Sequence, residues 1–246
     1  MLAALTPSCL PDLLRLSASA GWNQTAEDWL RLLELEPEGC FGVQQDGRIV
    51  ASATVVTYGS ALAWIGMVLT LPEYRGRGYA TLLMERCLRC CEERGIVTVR
   101  LDATEMGRPV YARLGFADEY EVQRRAGQLP PAEPRPPVFD FELDRLAFGA
   151  DRRRLLEKTG CARPGRAASY IGPVTARTPA EAREIVLHCG VSGACLWDVP
   201  AANPAAVELA ASLGFAPVRR LIRMKRGPAV AEHPEYVFAL AGFEYG

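Results

Sequence analysis

Ala63 to Leu69 is a short apolar run, Arg75-Gly76-Arg77-Gly78-Tyr79-Ala80 follows it, and Ala80, Leu83, Met84, Cys87, Leu88 and Cys91 then recur at helical spacing. The run predicts a buried strand and the recurrence predicts one face of an amphipathic helix. A glycine-punctuated turn between the two constrains the fold more than any other stretch. First-turn N–H groups of a helix have no helical partner, and the helix dipole adds partial positive charge there. Gly76 and Gly78 allow positive φ and leave no side chain to block a ligand. With two arginines in the loop, the turn suits a pyrophosphate.

The 246 residues suffice for one large or two small domains, and a net charge of −1 gives no reason to expect nucleic acid or an anionic membrane as partner. The chain starts without a basic segment, and Pro7, Pro11 and Asp12 interrupt its mildly apolar beginning. That is not the pattern of a signal peptide, no run has transmembrane length, and the expected location is the cytoplasm. Cys87, Cys90 and Cys91 form C-x-x-C-C on the helix after the loop, and His188 and His233 are the only histidines. A zinc site needs a second ligand pair, so no metal is expected and helix-face packing is the reading of these thiols.

Leu129-Pro-Pro-Ala-Glu-Pro-Arg-Pro-Pro137 is too rich in proline for a helix or central strand and predicts an extended linker. Domains are expected at 1–128 and 138–246, with the linker at 129–137. Before it, the pattern predicts helices over Pro11–Ala20 and Ala26–Leu35, and strands over Cys40–Gln45 and Arg48–Thr57 joined at Asp46-Gly47. The strand–loop–helix follows. A strand over Ile96–Leu101, a helix over Pro109–Leu114 and a strand over Ala117–Gln123 complete this half. After the linker come a helix over Asp151–Lys158, a strand over Ala168–Val174 and a capping box at Thr178-Pro-Ala-Glu181. A strand over Ala194–Val199, a helix from Asn203-Pro204 and strands over Ala216–Met224 and Tyr236–Ala241 close the chain. Arg152-Arg153-Arg154 reads as a solvated helix face. The halves echo one another: Leu101-Asp102-Ala103, a helix and Leu-Gly-Phe-Ala117 recur as Trp197-Asp198-Val199, a helix and Leu-Gly-Phe-Ala216. Such an echo indicates a tandem repeat.

Together these motifs resemble the GNAT superfamily of N-acetyltransferases. Its loop pattern Gln/Arg-x-x-Gly-x-Gly/Ala is met by Arg75, Gly78 and Ala80, and its tyrosine with glycine and phenylalanine downstream is met by Tyr111, Gly115 and Phe116. Trp22-Asn-Gln, Trp64-Ile-Gly-Met-Val and Tyr170-Ile-Gly-Pro-Val are similar to a subgroup with a second acetyltransferase-like domain. The resemblance implies an α+β fold, with α/β/α layers around a mixed, mostly antiparallel sheet and a second, partial domain of the same kind in tandem. It implies transfer of an acetyl group from acetyl-CoA, without a metal, to a primary amine by direct attack in a ternary complex.

By the same resemblance, Val68, Leu69 and Thr70 would pair with the pantetheine arm. The loop Arg75, Gly76, Arg77, Gly78, Tyr79, Ala80 and Thr81 would hold the pyrophosphate. Tyr111 would be the general acid, since a phenol of ordinary pKa about 10 can donate to a thiolate. Asp102 and Glu105, at a strand end, are candidates for the base. Trp22, Asn23 and Gln24 are candidates for the acceptor site. The second half lacks the loop pattern, carries Glu181 where it would repel a pyrophosphate and has Ala210 in place of the tyrosine, so it is not expected to bind acetyl-CoA. The acceptor, a small-molecule or protein amine, and the oligomeric state stay open. Two other classes remain: a non-catalytic acyl-CoA sensor and an interaction protein built on the linker and second half.

Overall fold

The hairpin turn at Asp46-Gly47, both residues at positive φ, reverses the chain between β2 (Cys40–Gln45) and β3 (Arg48–Tyr58). In the computed structural model, which describes residues 1–136 and 138–246, this hairpin belongs to a sheet of ten strands. Pro137, the last residue of the expected linker, lies outside the described residues. β1 (Leu2–Ala4) flanks the hairpin on one side, and β4 (Leu62–Thr70) and β5 (Thr98–Ala103) extend it on the other. The first half also holds β6 (Ala117–Leu129) and helices α1 (Leu10–Ser19), α2 (Ala26–Leu35), α3 (Tyr79–Glu93) and α4 (Arg108–Arg113). Thr25 and Asp28 form a reciprocal capping box that starts α2. Cys87 and Cys91 are buried on α3, as the helical spacing predicts, and Cys90 beside them is buried too.

The second half supplies α5 (Phe141–Phe148), α6 (Arg153–Thr159), β7 (Ala162–Arg163), β8 (Ser169–Ile171), β9 (Val174–Thr175), α7 (Pro179–Leu187), β10 (Gly193–Pro200), α8 (Pro204–Ser212), β11 (Ala216–Arg226) and β12 (Val237–Ala239). The sheet order is β1-β2-β3-β4-β5-β11-β6-β10-β8-β7, antiparallel except for β4–β5 and β8–β10. This is the mixed, mostly antiparallel α+β architecture that the resemblance implies. β12 pairs separately with β9.

The halves are not joined as beads on a linker. β11 of the second half lies between β5 and β6 of the first, and β6 lies between β11 and β10. Each half therefore gives its last long strand to the other half's sheet. β6 runs to Leu129, six residues past the expected Gln123, because Val122 to Leu129 pair with β10 across the boundary. The cores interlock as well. Phe148, Leu155, Met224 and Tyr245 of the second half complete the first core, and Leu129 belongs to the second.

Two buried ion pairs hold the exchange together. Arg223 on β11 donates to Asp102 on β5 through Nε at 3.0 Å and Nη2 at 3.1 Å, and stacks over Trp64. Arg124 on β6 donates to Asp198 on β10 at 2.7 Å through both Nε and Nη2, and stacks over Tyr170. Arg124 and Arg223 each stand seven residues beyond the alanine of their Leu-Gly-Phe-Ala motif, and the aspartates are the repeated strand-end pair. The repeat thus reappears as two matched contacts between the halves. Arg152 departs from the solvated-face reading: it is buried, donates to both Asp144 carboxylate oxygens and to Gly246 O, and stacks over Phe148. Only Arg153 and Arg154 of that run are exposed.

Candidate active site

β4 and β5 pair in parallel only from Leu62 to Trp64, matched with Thr98 to Arg100. Beyond that point β5 continues along β11, while β4 continues along β3 to Thr70. The two strands part, and the β4 edge from Ile65 onward loses its β5 partner. A bulge helps the parting. Between the pairs Thr54–Gly66 and Ser52–Leu69, β4 carries one residue more than β3. Met67 sits there at φ 50°, and the Ser52 hydroxyl donates to its carbonyl at 2.8 Å. A side-chain-bearing residue in this conformation costs about 1–3 kcal/mol, and surrounding packing must hold it there.

The parting opens a cleft of about 1000 Å³. One wall is β4 from Ile65 to Thr70, with Arg75, Gly76 and Ala80 from the loop and α3. A second wall carries Leu101, Asp102, Thr104 to Gly107, Val110 and Tyr111. Trp22 and Gln24 enter from the α1–α2 connection. The second half contributes Pro217 to Leu221 of β11, with Phe243 and Glu244.

At the loop, Gly76 (φ 74°) and Gly78 (φ 79°) are left-handed, and a Cβ added to either would meet nothing within 4 Å. Gly78 is the N-cap of α3, and no side chain among the described residues caps that terminus. Its first-turn N–H groups are thus open to a ligand, as an anion cradle requires. The arginines do not fill the cradle: Arg75 Nε donates to Thr70 O and Arg77 Nη2 to Glu73 O. Tyr79 accepts a bond from Gln45 Nε2 at 2.9 Å, tying the start of α3 to β2. Thr81 is half-buried in the same turn. Val68, Leu69 and Thr70 thus line the cleft together with Arg75, Gly76 and Ala80, while Arg77, Gly78, Tyr79 and Thr81 complete the turn without lining it.

Tyr111 is 9 % exposed, packs edge-on to Phe116 and has no hydrogen-bond partner for its hydroxyl among the described residues. Burial, aided by the nearby Cys87 thiol, pushes its phenol up to about 12. It stays protonated throughout the physiological range.

Asp102 does not suit the expected role of base. Its side chain is 0 % exposed and both oxygens accept from Arg223, so it presents only main chain to the cleft. Burial raises its carboxyl and Arg223 opposes that rise. Glu105 stands exposed on the turn before α4 and does line the cleft. Asn23 is also corrected. Its Nδ2 donates to Ala168 O at 2.7 Å and its Oδ1 accepts from Ala167 N at 2.7 Å, so it anchors a second-half loop and does not line the cleft. Trp22 and Gln24 do line it. Arg219 was not foreseen: it lines the cleft with no carboxylate partner among the described residues, and burial together with Arg124 lowers its pKa.

In the second half, Tyr170-Ile-Gly-Pro-Val-Thr175 corresponds to Trp64-Ile-Gly-Met-Val-Leu69. The matching edge, β9, is paired by β12, and Leu240 N continues the filling by donating to Asp198 O at 2.9 Å. The start of α7 is capped by its own residues: Glu181 accepts from Arg177 N and Thr178 N while Thr178 Oγ1 accepts from Glu181 N. Edge and helix start are thus both satisfied within the chain.

Residues 10–116 match the model of the Acetyltransferase (GNAT) family, and residues 158–239 that of the Acetyltransferase (GNAT) domain. An uncharacterized N-acetyltransferase of Bacillus subtilis (strain 168), YitH, is 26% identical over 240 residues, covering 82% of this chain and 83% of its own. The holothin acyltransferase of Pseudoalteromonas sp. (strain SANK 73390) is 31% identical over 106 residues, 43% of this chain and 35% of its own. A crystal structure of an acetyltransferase candidate from Pyrococcus horikoshii superposes with a TM-score of 0.87 at 24% identity, covering 100% of this chain and 95% of its own. At that identity the superposition carries the fold alone.

Proposed function

The chain belongs to the GNAT superfamily of acetyltransferases, with two such domains in tandem, and on that premise we propose that its first-half cleft moves an acetyl group from acetyl-CoA to a primary amine by direct attack in a ternary complex. The observation that carries this reading is one cleft lined by a bulged, unpartnered strand edge, an uncapped glycine-led helix start and a protonated tyrosine.

Acetyl-CoA supplies an activated thioester. Val68, Leu69 and Thr70 would bind its pantetheine arm as an added strand. Main-chain N–H groups between Arg75 and Thr81 would hold the pyrophosphate. A main-chain N–H freed at the bulge would face the oxyanion that develops during attack, a contribution worth about 10²–10³ in rate where such donors have been removed. Tyr111 would donate to the departing sulfur. Its raised pKa makes complete transfer to a thiolate of pKa about 8.5 uphill, so the phenol acts by moving its proton as the C–S bond breaks. The second half would close the acceptor end, through β11 and the segment around Glu244.

Calorimetry with acetyl-CoA, followed by thiol release against a panel of primary amines, tests the reading. The expected result is one acetyl-CoA per chain and amine-dependent release of free CoA. Absence of acetyl-CoA binding overturns it.

A further inference from the structure

Segment Gly242–Gly246 leaves the second half and enters the first core. Trp64 Nε1 donates to Phe243 O at 3.0 Å, Tyr58 OH to Tyr245 O at 2.6 Å and Arg152 Nη1 to Gly246 O at 2.9 Å. These anchors fix Glu244 between them. A Cβ on Gly66 would stand 2.6 Å from Glu244 Cα, so position 66 must be bare for the segment to cross. Gly66 immediately precedes Met67, the strained bulge residue. A carboxylate is thereby brought to the β4 wall of the cleft, beside the bulge.

Its two oxygens are treated differently. Oε1 accepts from Arg163 Nη2 at 2.9 Å, and Arg163 is held in turn by Asp28 Oδ1 at 2.9 Å and Ala241 O at 2.6 Å. Among the described residues the one side-chain contact to Oε2 is long, 3.4 Å from Gln24 Nε2, and the main-chain N–H of Glu244 itself also steadies the carboxylate. That contact sets the Gln24 amide, because the reversed amide would oppose two acceptor oxygens. Gln24 is 4 % exposed, lines the cleft, and its Oε1 has no hydrogen-bond partner among the described residues. A buried acceptor left without a donor is unfavourable, because its lost hydration is not replaced. Two neighbouring side chains at the cleft wall thus carry unmet acceptor capacity, and an ammonium group, with three N–H donors and one positive charge, meets it.

We propose that Glu244 and Gln24 form the amine subsite, Glu244 Oε2 and Gln24 Oε1 accepting from the acceptor's ammonium group and Glu244 removing one proton before attack. This assignment rests on the acetyl-transfer reading. One ammonium proton passes to Glu244 and on to water. The freed lone pair forms the C–N bond to the thioester carbonyl carbon, and the C–S bond breaks with its electron pair on sulfur. The second proton leaves nitrogen and, by way of Tyr111, ends on that sulfur.

The environment suits the step. Burial raises the Glu244 carboxyl, partly opposed by Arg163 on β7, by its own main-chain N–H and by Arg124 on β6; Asp28 on α2 adds to the rise, and Tyr170, Tyr58 and Tyr245 also face the group. A raised carboxyl lies closer to an alkyl ammonium of ordinary pKa about 10.4 and accepts its proton more readily.

The probe is n-propylammonium chloride, titrated calorimetrically into the full chain saturated with CoA. The wild type should bind it, and Glu244→Gln and Gln24→Leu should each weaken it at least ~10-fold while leaving CoA affinity within ~2-fold. With acetyl-CoA and propylamine, Glu244→Gln should also lose the acid limb of the thiol-release pH profile. Gln24→Leu leaves the Arg163–Glu244–Asp28 cluster intact, so it decides the matter if Glu244→Gln fails to fold. CoA binding without propylammonium binding, or equal binding by wild type and Gln24→Leu, overturns the subsite. Loss of CoA binding by the wild type overturns the acetyl-transfer reading itself.

Discussion

Val68-Leu69 and Val174-Thr175 occupy equivalent places in the two halves, yet one edge is free and the other is paired by β12 of the same chain. The helix starts differ in the same sense. α3 begins at two open glycines, whereas α7 is closed by Thr178 and Glu181. Where the first half has Tyr111, the second has Ala210, fully buried. A duplicated unit has two ways to satisfy a parted strand edge, a ligand or its own peptide. Here the second half takes the peptide, and that peptide continues into the first half's cleft as the segment carrying Glu244. The filled cleft therefore supplies a wall to the open one.

Breaking the comparison at the tyrosine should have the largest effect. Tyr111→Phe is expected to lower kcat by about 10²–10⁴-fold with CoA affinity unchanged. A proton donor is active while protonated, and with its phenol near 12 Tyr111 loses its proton only at strongly alkaline pH. Wild-type and Tyr111→Phe rate profiles should hence run parallel from about pH 6 to about pH 10, and a divergence there would mean that the phenol titrates within the range.

Next in size come the two matched ion pairs. Arg223→Leu strands a fully buried Asp102 and should cost about 3–5 kcal/mol in urea unfolding, with Arg124→Leu similar through Asp198. Because the strands are exchanged, each variant should unfold in a single transition. Two separate transitions would show that the halves fold independently after all.

A smaller effect is expected at the anion cradle. Gly78→Ala forces a side chain into left-handed backbone at φ 79°, costing about 1–2 kcal/mol, and should weaken CoA binding about tenfold by calorimetry. In the second half, Pro179→Ala at the first residue of α7 should leave CoA affinity and a stoichiometry of one per chain unaltered. A second equivalent CoA would mean that β12 yields its place to the ligand.

Much of this organisation was legible in the chain. The strand–loop–helix, the hairpin at Asp46-Gly47 and the capping box at Thr178–Glu181 are local, and neighbouring residues decide them. The repeat of Leu-Gly-Phe-Ala was visible too, with an arginine seven residues on in both copies. That shared offset was the signal for Arg124 and Arg223, but their partners lie far off in sequence. Asp102 looked like a free strand-end carboxylate because Arg223 stands 121 residues away. Asn23 looked like an acceptor-site residue because the loop it anchors is 144 residues downstream. Glu244 carried no local signal at all, since Gly66, whose bareness admits it, belongs to the other half.

The sequence by itself determined the order of elements apart from β1, α5 and β7, the turn that can hold an anion, the helix start that cannot, and the Tyr111 motif downstream. These depend on hydrogen-bond donors, φ freedom and charge within a few residues. Only the tertiary structure decided which strand edge stays open, which aspartate is taken by an arginine and which carboxylate reaches the bulge. Those outcomes depend on strand exchange and on segments that meet only after the whole sheet has formed, and side-chain burial then sets which charged groups remain free to act.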